Sequence, residues 1–91
     1  MAYVFRFGPA SMNTAQYDDV INRLEAAGAG APQGRLHHTC YGDPNALHVF
    51  DVWESKESFD NFGQTLMPIL QEIGIDAGVP EIVETHNVVR G

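Results

Sequence analysis

The chain has 91 residues, about the length of one domain, and a formal net charge of −7 at pH 7. Its five basic residues are scattered, which argues against binding to nucleic acid or to an anionic membrane surface. The only cysteine, Cys40, excludes an internal disulfide and a cysteine-based zinc site. The first residues lack the layout of a secretion signal, and no apolar run reaches the roughly 20 residues of a membrane span. We therefore expect residues 1–91 to form a single cytoplasmic domain.

The first two elements are a strand and a helix. Residues 3–7 are rich in aromatic and branched side chains and stop at a Gly-Pro pair, which predicts a strand. Residues 11–14 offer several helix N-caps. Apolar side chains then recur at helical spacing from Tyr17 to Leu24, and Gly28 follows as a stop signal.

A hairpin follows the first helix. Residues 35–41 and residues 46–54 both have strand character, and the Gly-Asp-Pro-Asn run at residues 42–45 has strong turn chemistry. We expect these two strands to pair in an antiparallel arrangement around a four-residue loop.

The clearest local signal is the change of period within residues 47–62. Side chains alternate as on a strand up to Glu54. Phe59 and Phe62 then lie three residues apart, as on one face of a helix. Ser55 lies at the junction and is a suitable N-cap. A strand therefore leads directly into a second helix.

The C-terminal part completes the element order. Pro68 has no backbone N–H to donate, and we expect it to break or kink the second helix near residues 66–67, with a short piece ending at Gly74. Residues 81–89 read as a fourth strand. The order is β-α-β-β-α-β, which predicts an α+β, ferredoxin-like protomer with an antiparallel sheet.

Both faces of the third predicted strand are apolar. Leu47, Val49 and Trp53 point to one side, and Phe50 and Val52 point to the other. An antiparallel sheet with helices on one side only should have a polar second face. We therefore expect a homodimer in which two four-stranded sheets pack face to face.

Two segments resemble a known family: the strand-cap-helix VFDVWESKESFDNF and the interrupted helix GQTLMPIL. Together with the element order over nearly the whole chain, they resemble the dimeric α/β-barrel superfamily, and within it the small antibiotic biosynthesis monooxygenase-like proteins. The resemblance implies a dimeric α/β barrel and a pocket in each subunit between the sheet and its own helices. It also implies that Trp53 forms a wall of that pocket and contacts the substrate.

The functions of this superfamily diverge. They include cofactor-free oxygenation of phenolic polyketides, aromatic cyclisation, haem degradation, lactone isomerisation and ligand sensing. Many monooxygenase-like and haem-degrading members carry a histidine on the helix after the Trp turn, but residues 58–64 of this chain contain none. The chain also has no clear counterpart of the asparagine and arginine that assist oxygenation in some members. We therefore expect neither haem nor any other cofactor.

The candidate catalytic residues are His38, Asp51 and His86. A four-residue loop at residues 42–45 places His38 and Asp51 on the same face of the hairpin, although a slip of one residue would separate them. Asp51 lies in an otherwise apolar strand, and a buried carboxylate needs a partner, for which His38 is a candidate. Such a pair could take a proton from a phenol or a carbon acid. His86, on the fourth predicted strand, joins them only if the sheet brings it near.

Structural explanations of the same residues stay open. Asp51 could form an ion pair with Arg6 or Arg35, and a histidine on a strand often has only a structural role. The adjacent His37 and His38 point to opposite faces of a strand, and no HxH or HxxxH spacing occurs, so that no metal site is predicted.

The sequence leaves two functions open. One is a small cofactor-independent enzyme of the monooxygenase, cyclase or isomerase type, acting on an aromatic or polyketide-like molecule between the sheet and the helices. It requires a pocket with room for several rings, on which a carboxylate and an imidazole converge. The alternative is a non-catalytic homodimer that binds a small ligand or has a structural role, with a small or purely apolar cavity.

Overall fold

A computed structural model describes residues 2–9 and 11–89 of the chain. The predicted element order is confirmed. The elements are β1 (Tyr3–Phe7), α1 (Thr14–Ala26), β2 (Arg35–Asp43), β3 (Ala46–Trp53), α2 (Lys56–Ile73) and β4 (Glu81–Glu84). The four strands form one antiparallel sheet in the order β2-β3-β1-β4. This is the ferredoxin-like α+β arrangement that the sequence predicted.

Both helices begin at caps within the predicted segments. Asn13 caps α1 through a capping box, in which its side chain accepts from the backbone N–H of Gln16 at 2.8 Å and the Gln16 side chain accepts from the backbone N–H of Asn13 at 3.0 Å. The Ser55 hydroxyl caps α2 by accepting from the backbone N–H of Ser58 at 3.1 Å. The change of period after Trp53 therefore marks a true strand-to-helix junction.

The predicted break at Pro68 is wrong, because α2 runs through this residue to Ile73 and ends at Gly74 in the left-handed conformation. Pro68 leaves the carbonyl of Gln64 without its helical donor. Both residues lie on the exposed side of α2, where water can hydrogen-bond to that carbonyl. The opposite side of the helix is anchored by Phe62 and Leu70, which are buried on either side of the proline.

The β2–β3 hairpin is tighter than predicted, because Asp43 pairs with Ala46 and only two residues form the turn. The pairing is displaced by two residues from the predicted register. A displacement of two keeps every side chain on its predicted face. His38 therefore lies directly opposite Asp51.

β4 is shorter than predicted and ends at Glu84. It pairs with β1, whose first residue, Tyr3, is opposite Glu84. Past that point the partner strand has ended, and Thr85 makes only a terminal contact with the carbonyl of Ala2 through its backbone N–H and its hydroxyl. The placement of His86 on this strand is therefore wrong: it lies in an exposed bend after β4.

The core lies between the sheet and the two helices. Phe5 and Trp53 are fully buried at its centre, and Phe59 of α2 packs on both, with ring centroids 4.4 and 5.5 Å away. The described helices include none that is long and apolar enough to cross a membrane.

The other side of the sheet, here called the outer face, carries apolar side chains beside polar ones such as Arg6 and His48, and no helix of the described residues covers it. Its residues are those that pair on the side opposite Phe5 and Trp53, among them Val4, Tyr41, Phe50, Val52 and Val83. Tyr41 and Val83 are each 46% exposed. The sequence prediction of two apolar faces is therefore confirmed within the described residues.

Candidate functional site

Asp51 is the buried charged residue around which the site is organised. It lies at the centre of β3 between β1 and β2, opposite Phe5 and His38, and it is 4% exposed. A carboxylate in such a place needs hydrogen-bond donors. One oxygen, Oδ1, lies 2.5 Å from Nδ1 of His38, and the other, Oδ2, lies 3.2 Å from Nε1 of Trp53. The alternatives in which Asp51 pairs with Arg6 or Arg35 are wrong.

The hydrogen bonds assign the tautomer of His38. An indole N–H can only donate, and an ionised carboxylate can only accept. An ionised Asp51 therefore accepts from Trp53 and from Nδ1–H of His38, which leaves Nε2 of His38 with a free electron pair. The predicted His38–Asp51 pair is thus formed across the hairpin, in a geometry that directs the basic nitrogen away from the carboxylate.

Tyr17, which the sequence indicates only as one of the side chains at helical spacing in the first helix, completes this chain of hydrogen bonds. Its hydroxyl lies 2.6 Å from Nε2 of His38, and the two rings are nearly parallel with centroids 6.0 Å apart. Burial raises the pKa of the Tyr17 phenol, as do the nearby Cys40 and Asp51, whereas the charge of Arg35 lowers it. The phenol therefore keeps its proton at neutral pH, and its O–H group donates a hydrogen bond to Nε2.

Trp53 lies behind the site rather than in the wall of its cavity. Its side chain is fully buried, packs against Phe59 and Phe62, and donates to Asp51. It is not among the residues that line the cavity beside His38. The indole holds the carboxylate in place, and the contact of Trp53 with a substrate stays a prediction.

Arg35 is a charged residue of the site whose place the sequence analysis missed. Strict alternation along β2 would put it on the outer face with His37. A β-bulge between Arg35 and His37 changes the alternation, so that Arg35 lies opposite Trp53 on the helix side. Its guanidinium lies 5.9 Å from the ring centroid of Phe62 and donates to the carbonyl of Gly30 at 3.2 Å.

A cavity between the sheet and the helices is bordered by this group of residues. Its polar lining comes from Arg35, His38 and Asp51, and most of the remaining wall is apolar side chains of α1, α2 and the sheet. The enclosed volume is about 70 Å³. Sites for drug-sized ligands usually measure roughly 300–1,000 Å³, so that this cavity must open before it admits several fused rings.

A wider groove of about 580 Å³ lies on the other side of Phe62. It runs between the α1–β2 loop and the first turns of α2, and its lining is largely polar, with Ser55, Ser58 and Asn61 among the contributors. Phe62 borders both the groove and the buried cavity. Phe62 is therefore a residue that the two spaces share.

The other histidines lie away from this cavity. His37 and His48 are on the outer face, where His37 bonds to the Thr39 hydroxyl at 2.5 Å and His48 stacks on Tyr41 with centroids 5.7 Å apart. His86 lies in the exposed bend after β4 and does not line the cavity. Within residues 2–9 and 11–89, no three His, Cys, Asp or Glu side chains gather as metal ligands.

Comparisons with known proteins give similarity of structure but not of sequence. No family model matches the sequence, and no curated protein matches it. Solved structures with a similar fold include the following three. The first is protein YJCS, with 5% identity, a TM-score of 0.66, and coverage of 94% of this chain and 100% of that one. The second is from Chloroflexus aurantiacus, provisionally described as an antibiotic biosynthesis monooxygenase, with 23% identity, a TM-score of 0.63, and coverage of 100% and 97%. The third is SnoaB, a cofactor-independent oxygenase from Streptomyces nogalater, with 17% identity, a TM-score of 0.62, and coverage of 99% and 96%.

These likenesses extend over nearly the full length of each chain. At such low identity they establish the fold and not the chemistry. The chain therefore has the ferredoxin-like fold that is found in antibiotic biosynthesis monooxygenase-like proteins, as the sequence resemblance predicted.

Proposed function

We propose that this protein is a small cofactor-independent enzyme that removes a proton from an aromatic or polyketide-like molecule bound between the sheet and the helices. The observation that carries the proposal is the hydrogen bond of 2.5 Å between His38 and the buried Asp51, beside a largely apolar cavity. The same fold occurs in a cofactor-independent oxygenase, so that the architecture is compatible with this reaction class.

His38 is the proton acceptor in this proposal, and Asp51 is the group that holds it. With its Nδ1 proton directed to Asp51, the imidazole presents Nε2 as a base and is stabilised after it takes a proton. The substrate proton comes from an acidic O–H or C–H group. The electron-rich anion that remains then reacts with dioxygen, as in a monooxygenase, or closes a ring, as in a cyclase. The positive charge of Arg35 at the cavity wall favours an anion at this place.

Deuterium exchange tests the proton transfer without any assumption about dioxygen. The probe is 2-tetralone, a ring-fused ketone with acidic C–H groups, and NMR follows their exchange in deuterated water. Wild-type protein should catalyse the exchange, and His38→Gln and Asp51→Asn should each slow it by about 100-fold or more. His48→Gln is the matched control, because His48 lies on the outer face and should leave the rate unchanged. Undiminished exchange by His38→Gln would end the proposal.

The second candidate is a non-catalytic protein that binds a small ligand. The volume of only about 70 Å³ favours it, because sites for drug-sized ligands usually measure roughly 300–1,000 Å³. Binding of an aromatic compound by wild-type protein, with neither deuterium exchange nor dioxygen uptake, would favour this candidate over the enzyme.

We also propose that two copies pack through their outer faces, as the dimeric barrel requires. The support is the apolar outer face, with Tyr41 and Val83 each 46% exposed and Phe50 half-buried at its centre. Light scattering on the purified protein should give the mass of a dimer, and Phe50→Asp should give a monomer. Asn61→Asp is the control, because it adds the same charge on exposed α2. A monomeric wild-type protein would contradict this arrangement.

A further inference from the structure

We infer that Tyr17 competes with the ligand at this site, because its phenol occupies the nitrogen of His38 that a ligand must take over. The inference rests on the proposed function, because it concerns the same imidazole. It adds that the Tyr17 hydroxyl occupies the basic nitrogen of His38 in the free protein. A hydroxyl group of the ligand replaces the Tyr17 hydroxyl on binding.

The first observation is that both nitrogens of His38 are in use. Nδ1 donates to Asp51 at 2.5 Å, and Nε2 accepts from the Tyr17 hydroxyl at 2.6 Å. An imidazole has no third position for a hydrogen bond in its plane. A ligand therefore cannot reach the basic nitrogen while the Tyr17 contact is present.

The second observation is the position of Tyr17 relative to the cavity. His38 and Asp51 line the cavity, but Tyr17 does not. Tyr17 therefore contacts His38 without forming part of the cavity wall, and a ligand in the cavity reaches Nε2 only after the phenol moves away from it.

The competing group is a phenol that keeps its proton. Burial raises the pKa of Tyr17, and the hydroxyl thus acts as a donor over the neutral pH range. A ligand that offers its own O–H group restores the bond to Nε2 after Tyr17 leaves. A ligand of the same shape without an O–H group leaves that nitrogen unpaired, which makes its binding weaker.

The test measures the affinity of two small aromatic probes by calorimetry. 4-Methylphenol carries an O–H group that keeps its proton at neutral pH, and 4-methylanisole is its methyl ether. Tyr17→Phe removes only the competing hydroxyl and keeps the ring against His38. Tyr41→Phe is the matched control, because Tyr41 also stacks on a histidine, His48, but lies on the outer face.

The expected result is that Tyr17→Phe binds both probes more tightly than wild type does, by about fivefold, the worth of one net hydrogen bond. The preference for 4-methylphenol over its methyl ether should be the same in both proteins, because the acceptor nitrogen of His38 causes it. Tyr41→Phe should bind both probes as wild type does. A damaged fold would weaken binding, so that tighter binding in Tyr17→Phe has no trivial structural cause.

The other outcomes separate the inference from the proposed function. Equal affinity of wild type and Tyr17→Phe would overturn the inference and leave the proposed function intact. Weaker binding of 4-methylphenol by Tyr17→Phe would also overturn it, because Tyr17 would then contact the ligand directly. If neither probe binds to any of the proteins, the ligand site of the proposed function fails, and the inference fails with it.

Discussion

Replacement of Asp51 by alanine should destabilise the fold by an amount that the hydrogen bonds of the site determine. The substitution leaves the indole N–H of Trp53 and Nδ1–H of His38 without their acceptor. An unpaired buried donor costs about 1–3 kcal/mol. The full cost of an unpaired donor applies to Trp53, because its side chain is inaccessible to water. The His38 side chain is 21% exposed, so that water can partly replace its lost hydrogen bond. We expect a total loss of about 2–4 kcal/mol.

This loss is large compared with the whole stability of such a domain, which is about 5–14 kcal/mol for a chain of this length. Urea unfolding followed by circular dichroism measures it, at one protein concentration for all variants, because association would change the apparent stability. Asp60→Ala is the matched control: it removes the same charge from an exposed position on α2 and should change stability by less than about 0.5 kcal/mol. If Asp51→Ala unfolds at the same urea concentration as Asp60→Ala, the carboxylate does not hold the two donors, and the description of the site is wrong.

Two further predictions concern the thiol and the second helix. Burial raises the pKa of the Cys40 thiol, with a smaller contribution from the charge of Asp18. Iodoacetamide should therefore alkylate the folded protein near pH 8 more slowly than it alkylates free cysteine. Unfolding in urea should remove the difference, and equal rates in the folded state would contradict the raised pKa. Gly63→Ala, inside α2 with open space around the added methyl group, should stabilise the protein by about 0.5–1 kcal/mol. Gly74→Ala, at a positive φ of 87°, should destabilise it by about 1–2 kcal/mol, and urea midpoints that move in the same direction for both variants would refute this pair of predictions.

Local signals in the sequence were sufficient for the elements that depend on their own residues. The cap at Ser55 and the spacing of Phe59 and Phe62 located the start of α2, because a helix N-terminus and its buried face are both encoded within a few residues. The position of His38 and Asp51 on the same face of the hairpin was also predictable. The loop was two residues shorter than expected, but an even error leaves the side-chain alternation intact.

The parts that could not be predicted depend on distant contacts. The contact of Tyr17 with His38 requires the docking angle of α1 on the sheet, which a helical apolar spacing does not specify. The place of Arg35 depends on one bulge, and such an extra residue has no signature in the sequence of β2. The end of β4 was set by the start of β1, its partner strand, so that the apolar character of the residues after Glu84 was misleading.

The central claim is that Asp51 holds His38 with a proton on Nδ1, and ¹⁵N NMR of the His38 imidazole at neutral pH tests it most directly. The account predicts a protonated Nδ1 and an unprotonated Nε2 in wild-type protein. It also predicts the reverse in Asp51→Asn, because the amide oxygen meets the N–H of Trp53 only when the amide nitrogen faces His38. A wild-type spectrum with the proton on Nε2 would contradict the account.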